Sequence, residues 1–254
     1  MATPRLVTIP FSHYCEKARW GLDRAHVAYR EEGHLPLFAW LPALRAGRVR
    51  TVPSLVTDGG PLTDSTDILR WCDRRGGAAP LYPDGDGAVD VTDLEDRFDV
   101  RFGPHSRRIG YGFLLPVIRD VIDDAADVPR HEVRVTRLLA PAVAAFMRRK
   151  LKVTPAGLAR SRERCEEIFA EVEQRLADGR RYLCGDRFTA ADLTFASLAV
   201  PLVMPPELSS YVPMDRVPPA MADDVERWRA TVPGAFALRL YREERGAPGA
   251  TRVR

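Results

Sequence analysis

The stretch that decides the fold is residues 5–20, RLVTIPFSHYCEKARW, in which a strand pattern changes to a helix pattern. The β-rich run continues to Ile9, Pro10 interrupts it, and from Ser12 the apolar residues recur at helical spacing to about Ala25. This pattern predicts a strand, a short loop and a helix in immediate succession. A hydroxyl and a thiol then lie at the first turn of that helix.

The residues that follow complete an α/β unit. The order β-α-β-α-β-β-α over residues 5–75 predicts parallel strands joined by a helical crossover, with a hairpin closing the sheet. The turn sequence Asp58-Gly59-Gly60 marks the hairpin. After the first helix we predict a second strand at residues 27–31 and an irregular helical segment at 36–46. The hairpin strands follow at 53–57 and 61–63, and a last helix at 65–75.

The Gly-, Pro- and Asp-rich run at 76–88 is typical of a domain boundary, and beyond it the pattern is helical with no convincing strand. One helical stripe includes Phe98, Phe102 and His105. The predicted fold class is therefore α/β plus all-α, an N-terminal sheet domain followed by a C-terminal helical bundle. We place the first domain at residues 1–77 and a linker at 78–87. An all-helical domain follows at 88–245, and we expect the tail at 246–254 to be frayed.

Composition excludes several classes of protein. The 254 residues are 45% hydrophobic and 29% charged with a net charge of +3, which excludes a disordered chain, a collagen-like chain and a bundle of membrane spans. The 38 basic residues are interspersed with 35 acidic ones, so no coherent field exists to hold a polyanion. We expect neither nucleic acid nor a membrane as a partner.

The four cysteines are far apart in the sequence and form no CxxC pair, zinc spacing or disulfide framework. The N-terminus lacks the apolar core of a signal peptide. These features predict a cytoplasmic protein in a reducing compartment, with no metal.

Ser12 and Cys15 are the residues most suited to sulfur chemistry. The N-terminus of a helix presents free N–H groups and partial positive charge, which stabilise a nearby thiolate. The alternative is structural, with Ser12 as an N-cap and Cys15 as a small apolar filler.

Val52-Pro53, at the start of the hairpin, is a candidate for ligand pairing. If this X-Pro bond is cis, the backbone of Val52 turns outward and offers its N–H and C=O to an extended peptide. Most X-Pro bonds are trans, so the local sequence alone does not establish the turn.

Asp64-Ser65 lies where the hairpin ends and a helix begins. Helix-start N–H groups bind a carboxylate and an adjacent Asp holds an ammonium group, so this pair suits the α-amino acid end of a ligand. An ordinary N-cap explains the pair equally well.

Together these features resemble the glutathione transferase family, whose N-terminal domain is thioredoxin-like. Ser12 to Cys15 resembles the catalytic helix start, Val52-Pro53 the cis-proline turn and Asp64-Ser65 the γ-glutamyl site. The stretch 182–193 is similar to the best-known motif of that family's helical domain. In it we predict a structural capping box between Thr189 and Asp192. The segment 100–154 matches no motif, and we expect substrate selectivity to lie there.

The resemblance implies a glutathione transferase with glutathione as co-substrate, a small hydrophobic electrophile and a homodimer. Ser12 stands where redox-type members have cysteine, so the resemblance favours serine-type chemistry in which a hydroxyl donates to the glutathione sulfur. The competing prediction is a thiol transferase or reductase that uses Cys15 as nucleophile. A non-catalytic binding protein or an isomerase is also compatible with the scaffold.

Two further residues are candidates for substrate binding. Tyr14 lies beside both catalytic candidates and has a hydroxyl to offer, although ordinary packing also explains it. His105 shares its helical stripe with aromatic residues and is a candidate for the electrophile pocket, or a hydrogen-bonded core histidine. Arg108, Tyr111 and Phe113 are less specific candidates for the same pocket.

Overall fold

The computed structural model describes residues 2–76, 78–85, 87–122, 127–209 and 217–253. The sheet has four strands from the N-terminal part and one from the C-terminus, namely β1 Arg5–Thr8, β2 Tyr29–Gly33, β3 Ser54–Thr57, β4 Gly60–Leu62 and β5 Arg252–Val253. It is a mixed sheet with the strand order β4-β3-β1-β2-β5. β1 pairs with β2 in parallel and with β3 antiparallel, and β3 and β4 form the hairpin.

The predicted element order over residues 5–75 is confirmed, with shifted limits. Three helices accompany the sheet, namely α1 His13–Arg24, α2 Trp40–Gly47 and α3 Ser65–Asp73. The second strand begins two residues later than predicted, at Tyr29, because Ala25 caps α1 and the turn after it takes His26 into the left-handed region at φ 52°. The helical segment predicted from 36 is regular only from Trp40.

The prediction of a frayed tail is wrong for residues 246–253. β5 pairs in parallel with β2, with Tyr29 opposite Arg252. The buried carboxylate of Asp23, at the end of α1, accepts hydrogen bonds from the Gly249 and Thr251 N–H groups at 2.8 and 3.1 Å. The tail is therefore held by hydrogen bonds and strand pairing, although Val253 is its only large apolar side chain. Residue 254 lies outside the described residues.

No regular element lies between Asp73 and Gly87 in the described part of this segment, and the predicted boundary at residue 77 is not among the described residues. From Gly87 to Glu244, every regular element of the described chain is a helix, which confirms the all-α class of this part. Its helices are α4 Gly87–Arg101, α5 Gly103–Leu114, α6 Ile118–Ile122, α7 Arg130–Leu138, α8 Ala140–Leu151, α9 Pro155–Leu176, α10 Ala190–Val203, α11 Pro219–Arg229 and α12 Val232–Glu244.

The predicted capping box at the start of α10 is present. The Asp192 carboxylate accepts from the Thr189 N–H and hydroxyl, each at 2.8 Å, and from the Leu183 N–H at 2.8 Å. Burial raises the pKa of Asp192 to about 6, against the lowering effect of these hydrogen bonds. The motif orients the central helix of the bundle and serves folding.

α1 belongs to both parts of the molecule. Its Ala18 and Leu22 pack in the core under the sheet with Leu6 and Leu55. Its Trp20 instead packs in the core of the helical part, where the indole stacks on Phe188 at a ring-centroid distance of 5.8 Å. The helix start carrying the predicted catalytic residues is thus fixed between two cores.

Candidate functional site

A cavity of about 340 Å³ lies beside the start of α1, a volume within the range of small-ligand sites. The loop before α1, the first residues of α1, the start of α2 and the loop before β3 form one wall. α5, the end of α8 and the end of α10 form the other wall. The cavity therefore lies between the sheet part and the helical part, and it contains most of the candidate residues from both.

Ser12 lines this cavity and is the N-cap of α1. Its hydroxyl oxygen accepts a hydrogen bond from the Cys15 N–H at 3.4 Å. A hydroxyl has one hydrogen to donate and rotates to suit its partner, so capping leaves Ser12 able to donate to an anion in the cavity.

Cys15 lies three residues further along α1 and is not part of the cavity lining. It is fully buried. Burial raises the pKa of its thiol, against the lowering effects of the Arg19 charge and of the hydrogen bond to Ser12. A sulfur nucleophile needs exposure and a lowered pKa, and Cys15 has neither.

His13 and Tyr14 fix the start of α1 against the helical part. The Tyr14 hydroxyl donates to the Asp99 carbonyl at 2.8 Å, and His13 Nε2 bonds the Gly103 carbonyl at 2.9 Å. Because a carbonyl only accepts, Nε2 carries the proton. Gly103 permits this approach, since a Cβ at that position would lie 2.2 Å from the Tyr14 hydroxyl.

Neither His13 nor Tyr14 ionises readily, although both line the cavity. Burial, followed by the positive charge of Arg107, lowers the pKa of His13 to about 3, so the imidazole is neutral and a poor base. Burial and the charges of Asp99 and Asp64 raise the pKa of the Tyr14 phenol. Both side chains therefore present neutral groups to a ligand.

The Val52-Pro53 peptide bond is cis, as the resemblance implied. Val52 lines the cavity, whereas Pro53 is buried behind it. Arg50 and Thr51, which the sequence analysis did not single out, line the cavity beside Val52. Their position directly before the predicted proline turn was the signal that would have found them.

Asp64 and Ser65 do not line the cavity. Asp64 is the exposed N-cap of α3, and its Oδ1 accepts from the Thr66 N–H at 2.8 Å. The charge of Asp64 nonetheless contributes to the raised pKa of Tyr14, a residue that lines the cavity. The predicted γ-glutamyl site has the helix-start geometry it requires and stays a prediction.

The structure places His105 outside the cavity lining, which contradicts the interpretation of it as a pocket residue. Its Nδ1 bonds the Ser161 hydroxyl of α9 at 3.0 Å, so His105 belongs to the contact between α5 and α9. The face of α5 that lines the cavity carries Arg107, Gly110, Tyr111 and Leu114, at the spacing of one helix side. The apolar stripe predicted in the sequence is the face directed to the bundle core.

Of the three less specific pocket candidates, only Tyr111 lines the cavity. Arg108 instead donates from Nε to the Leu151 carbonyl at 2.8 Å, and Phe113 packs against the bundle core. Trp40 and Lys150 are cavity residues that the sequence analysis missed, and the Lys150 ammonium lies 4.3 Å from the centre of the Trp40 ring. They come from α2 and α8, which only the tertiary structure brings together.

Among the described residues, no three His, Cys, Asp or Glu side chains are grouped as metal ligands. Within the same part of the chain, no helix has the length and apolar character needed to cross a bilayer.

A mixed sheet with its cis-proline turn, a following helical bundle and a cavity between them define the class of protein. The model of the family described as Glutathione S-transferase, N-terminal domain matches residues 6–80. A second family model, described as Glutathione S-transferase, C-terminal domain, matches residues 155–230. Because the two matches cover more than half of the chain, it belongs to the glutathione S-transferase family and is a glutathione transferase-like enzyme.

Several solved structures have the same fold at low sequence identity to this chain. The β-etherase LigF from Sphingobium is 18% identical, with a TM-score of 0.60 over 94% of this chain and 99% of that chain. A glutathione S-transferase from Methylobacterium radiotolerans, solved with glutathione sulfonate, is 22% identical, with a TM-score of 0.54 over 93% and 95%.

A third structure, a glutathione S-transferase from Xanthobacter autotrophicus, is 20% identical, with a TM-score of 0.57 over 91% of this chain and 94% of that chain. These likenesses show the fold alone. No curated protein matches the sequence closely enough to show a relationship.

Proposed function

We propose that this protein is a glutathione transferase in which Ser12 activates the glutathione sulfur for attack on a small hydrophobic electrophile. The tripeptide binds along Val52, with its γ-glutamyl end at Asp64-Ser65 and its sulfur at the start of α1. The observation that carries the proposal is the position of the Ser12 hydroxyl on the cavity wall at a helix N-terminus.

Ser12 promotes ionisation of the bound thiol by donating a hydrogen bond to the thiolate. An unperturbed thiol has a pKa of about 8.5, and each unit of depression corresponds to about 1.4 kcal/mol. A hydrogen bond to a charged group contributes about 1.5–3 kcal/mol, to which the dipole of α1 adds. These two contributions are enough to make the thiolate the main form near pH 7.

The burial and raised pKa of Cys15 argue against the alternative of a thiol transferase or reductase. A mixed disulfide on Cys15 would require this fully buried thiol to become accessible. We therefore place the chemistry on Ser12, and we assign Cys15 to packing.

The deciding experiment measures kcat/KM for glutathione and 1-chloro-2,4-dinitrobenzene in Ser12→Ala, with Cys15→Ala as the matched control. For Ser12→Ala we expect a loss of about 10- to 100-fold at pH 6.5, with a kinetic thiol pKa raised by about 1–2 units. The loss should diminish above pH 9, where the thiol ionises without help. We expect Cys15→Ala to keep its turnover.

Unchanged turnover and thiol pKa in Ser12→Ala would remove Ser12 from this role. Loss of mixed-disulfide reduction in Cys15→Ala, with no thioether formation by the wild type, would support the reductase alternative. Calorimetric binding of glutathione without turnover of a panel of electrophiles would instead indicate a binding protein.

We propose in addition a homodimer in the cytoplasm. The dimer rests on the family resemblance, and the compartment on four cysteines that all carry free thiols. Light scattering of the purified protein at micromolar concentration tests the dimer, and a monomer mass would contradict it.

A further inference from the structure

The charged groups on the cavity wall are unbalanced. Five charged side chains line the cavity, and two of them are already paired outside it. Glu16 accepts from the buried Arg245 at 2.6 Å, and Arg19 donates to Glu31 at 2.6 Å. The other three are cations, namely Arg50, Arg107 and Lys150.

Arg107 is the inner one of these three cations. Arg50 and Lys150 are exposed, whereas Arg107 is half-buried on the cavity face of α5. Its Nε is buried without a hydrogen-bond partner. Among the described residues, none forms an ion pair or a side-chain hydrogen bond with its guanidinium. Buried N–H donors are normally hydrogen-bonded, so Arg107 has donors available for a ligand.

The surroundings of Arg107 favour an anion over a neutral ligand. Its charge contributes to the lowered pKa of His13, and with burial it lowers the pKa of Lys150. No carboxylate on the cavity wall of the described chain is free to balance it, because Glu16 is paired with Arg245. A negatively charged ligand group would relieve this repulsion, and the planar guanidinium matches a carboxylate with two parallel hydrogen bonds.

The rest of this wall suits an apolar ring. On α5, Tyr111 and Leu114 lie on the same side as Arg107, and Phe11 contacts Tyr111 edge-on with ring centroids 6.5 Å apart. Met147 and Pro201 complete an apolar lining from α8 and α10. The cavity thus combines an apolar body with one fixed charge, as expected for a site that orients its ligand.

We propose that the electrophile is an aromatic or similarly apolar molecule carrying an anionic group, and that Arg107 binds this group. This inference rests on the proposed function. Glutathione in that function lies along Val52 and Asp64-Ser65 in the sheet part, where Arg50 is available to its second carboxylate. Arg107 belongs to the helical part, so it faces the second substrate.

The test compares two electrophiles of similar shape, 4-chloro-3-nitrobenzoate and the neutral 4-chloro-3-nitrobenzamide. In both reactions the glutathione thiolate attacks the ring carbon that bears chlorine, and a C–S bond forms. The C–Cl bond breaks, chloride leaves with the bonding electrons, and the thiol proton passes to solvent. Each kcat/KM is divided by the uncatalysed rate constant with glutathione, because the two rings differ in reactivity.

We expect the wild type to prefer the benzoate by about 10-fold or more, and the preference to decrease as salt is added. Arg107→Gln should lose about 10- to 100-fold in kcat/KM for the benzoate and less than about 3-fold for the benzamide. The KM for glutathione should stay unchanged. Arg107→Lys should show an intermediate loss, and the exposed Arg101→Gln on α4 is the control for removal of one positive charge.

Equal corrected rates for the two electrophiles in the wild type would overturn the proposal without any variant. An equal loss for both in Arg107→Gln, with a higher KM for glutathione or a higher kinetic thiol pKa, would assign Arg107 to glutathione instead and also overturn it. These outcomes leave the proposed function standing. Absence of turnover with both compounds, and of glutathione binding by calorimetry, would overturn the proposed function first.

Discussion

Ser12 and Cys15 are three positions apart, yet their environments are opposite. Ser12 is the N-cap, outside the first turn and on the cavity wall, whereas Cys15 is inside that turn and fully buried. The same helix start thus provides a hydrogen-bond donor for a ligand and a packed side chain for the core. Their order in the sequence alone did not decide which of the two is accessible.

His13 gives a pH-dependent prediction at the residue scale. Its pKa is about 3 in the folded state and 6.5 in a model peptide, so between these values the unfolded state binds more protons. Its contribution to stability is complete above pH 6.5 and is lost as the pH falls towards 3. Relative to wild type, His13→Gln should remove a slope of about 1.4 kcal/mol per pH unit from the free energy of unfolding.

Urea unfolding at pH 6.5, 5.5 and 4.5 measures this slope, and the exposed His131→Gln is the control. Asp192 acts with the opposite sign, because a pKa raised to about 6 makes its contribution fall as the pH rises from about 4 to 6. Asp192 is present in both proteins, so its contribution cancels when the unfolding free energy of His13→Gln is subtracted from that of wild type at each pH. If the free energy of unfolding has the same pH slope in His13→Gln and in wild type, the His13 imidazole is not held neutral by burial.

At the scale of elements, α5 shows why a helical pattern locates a core more readily than a site. Its apolar stripe continues from Phe102 to Ile109 and packs in the bundle. The site face carries Arg107 and Tyr111 with two other residues, and this mixture resembles a solvated surface in the sequence. The same mixture of residues can line a cavity or face solvent, and which of the two occurs depends on the segments that pack opposite the helix.

The C-terminal strap, residues 246–253, gives a prediction at the element scale. The Thr251 hydroxyl donates to Asp23 Oδ1 at 2.8 Å. The backbone carbonyl of Thr251 accepts a hydrogen bond from the Tyr29 N–H at 3.2 Å. Thr251→Val keeps the side-chain shape and removes only the hydroxyl bond to a charged acceptor. We expect the free energy of unfolding to fall by about 1–2 kcal/mol and hydrogen exchange at the Tyr29 amide to accelerate.

The neighbouring exposed Ala250→Ser serves as the control for this position. Wild-type exchange at Tyr29 in Thr251→Val would show that the hydroxyl does not hold the strap.

At the scale of the whole molecule, a buried ion cluster joins the two parts. Lys17 of α1 is fully buried, and its ammonium lies 2.9 Å from Glu95 and 2.7 Å from Asp99 of α4. It also donates to the Thr66 hydroxyl of α3 at 2.8 Å. Removing one member of such a cluster leaves the others buried and uncompensated.

Lys17→Met should therefore destabilise the protein by about 3–5 kcal/mol, because two carboxylates lose their counter-ion. The triple variant Lys17→Met, Glu95→Gln, Asp99→Asn should recover more than half of this loss, since it buries no charge. Calorimetric and urea unfolding measure both, with Arg101→Met on α4 as the exposed control. A triple variant less stable than Lys17→Met would contradict this account.

The fold was largely predictable because its signals are local. Apolar spacing, the turn at Asp58-Gly59-Gly60 and the Thr189 capping box depend on residues within a few positions of one another. The strap was missed because β5 has no pattern of its own and is held by Asp23 of α1 and by the edge of β2. Strand pairing between distant segments leaves no local trace.

Local patterns in the sequence were enough to predict the order of elements, the change from sheet to helix near residue 76 and the position of Ser12 at a helix start. The burial of Cys15, the packing of His105 between helices and the position of Arg107 on the cavity wall could be seen only in the folded chain. The two groups of features differ in how far apart in the sequence the interacting residues are. Helix and turn formation depend on neighbours along the chain, whereas the exposure of a side chain depends on segments many residues away that fold against it.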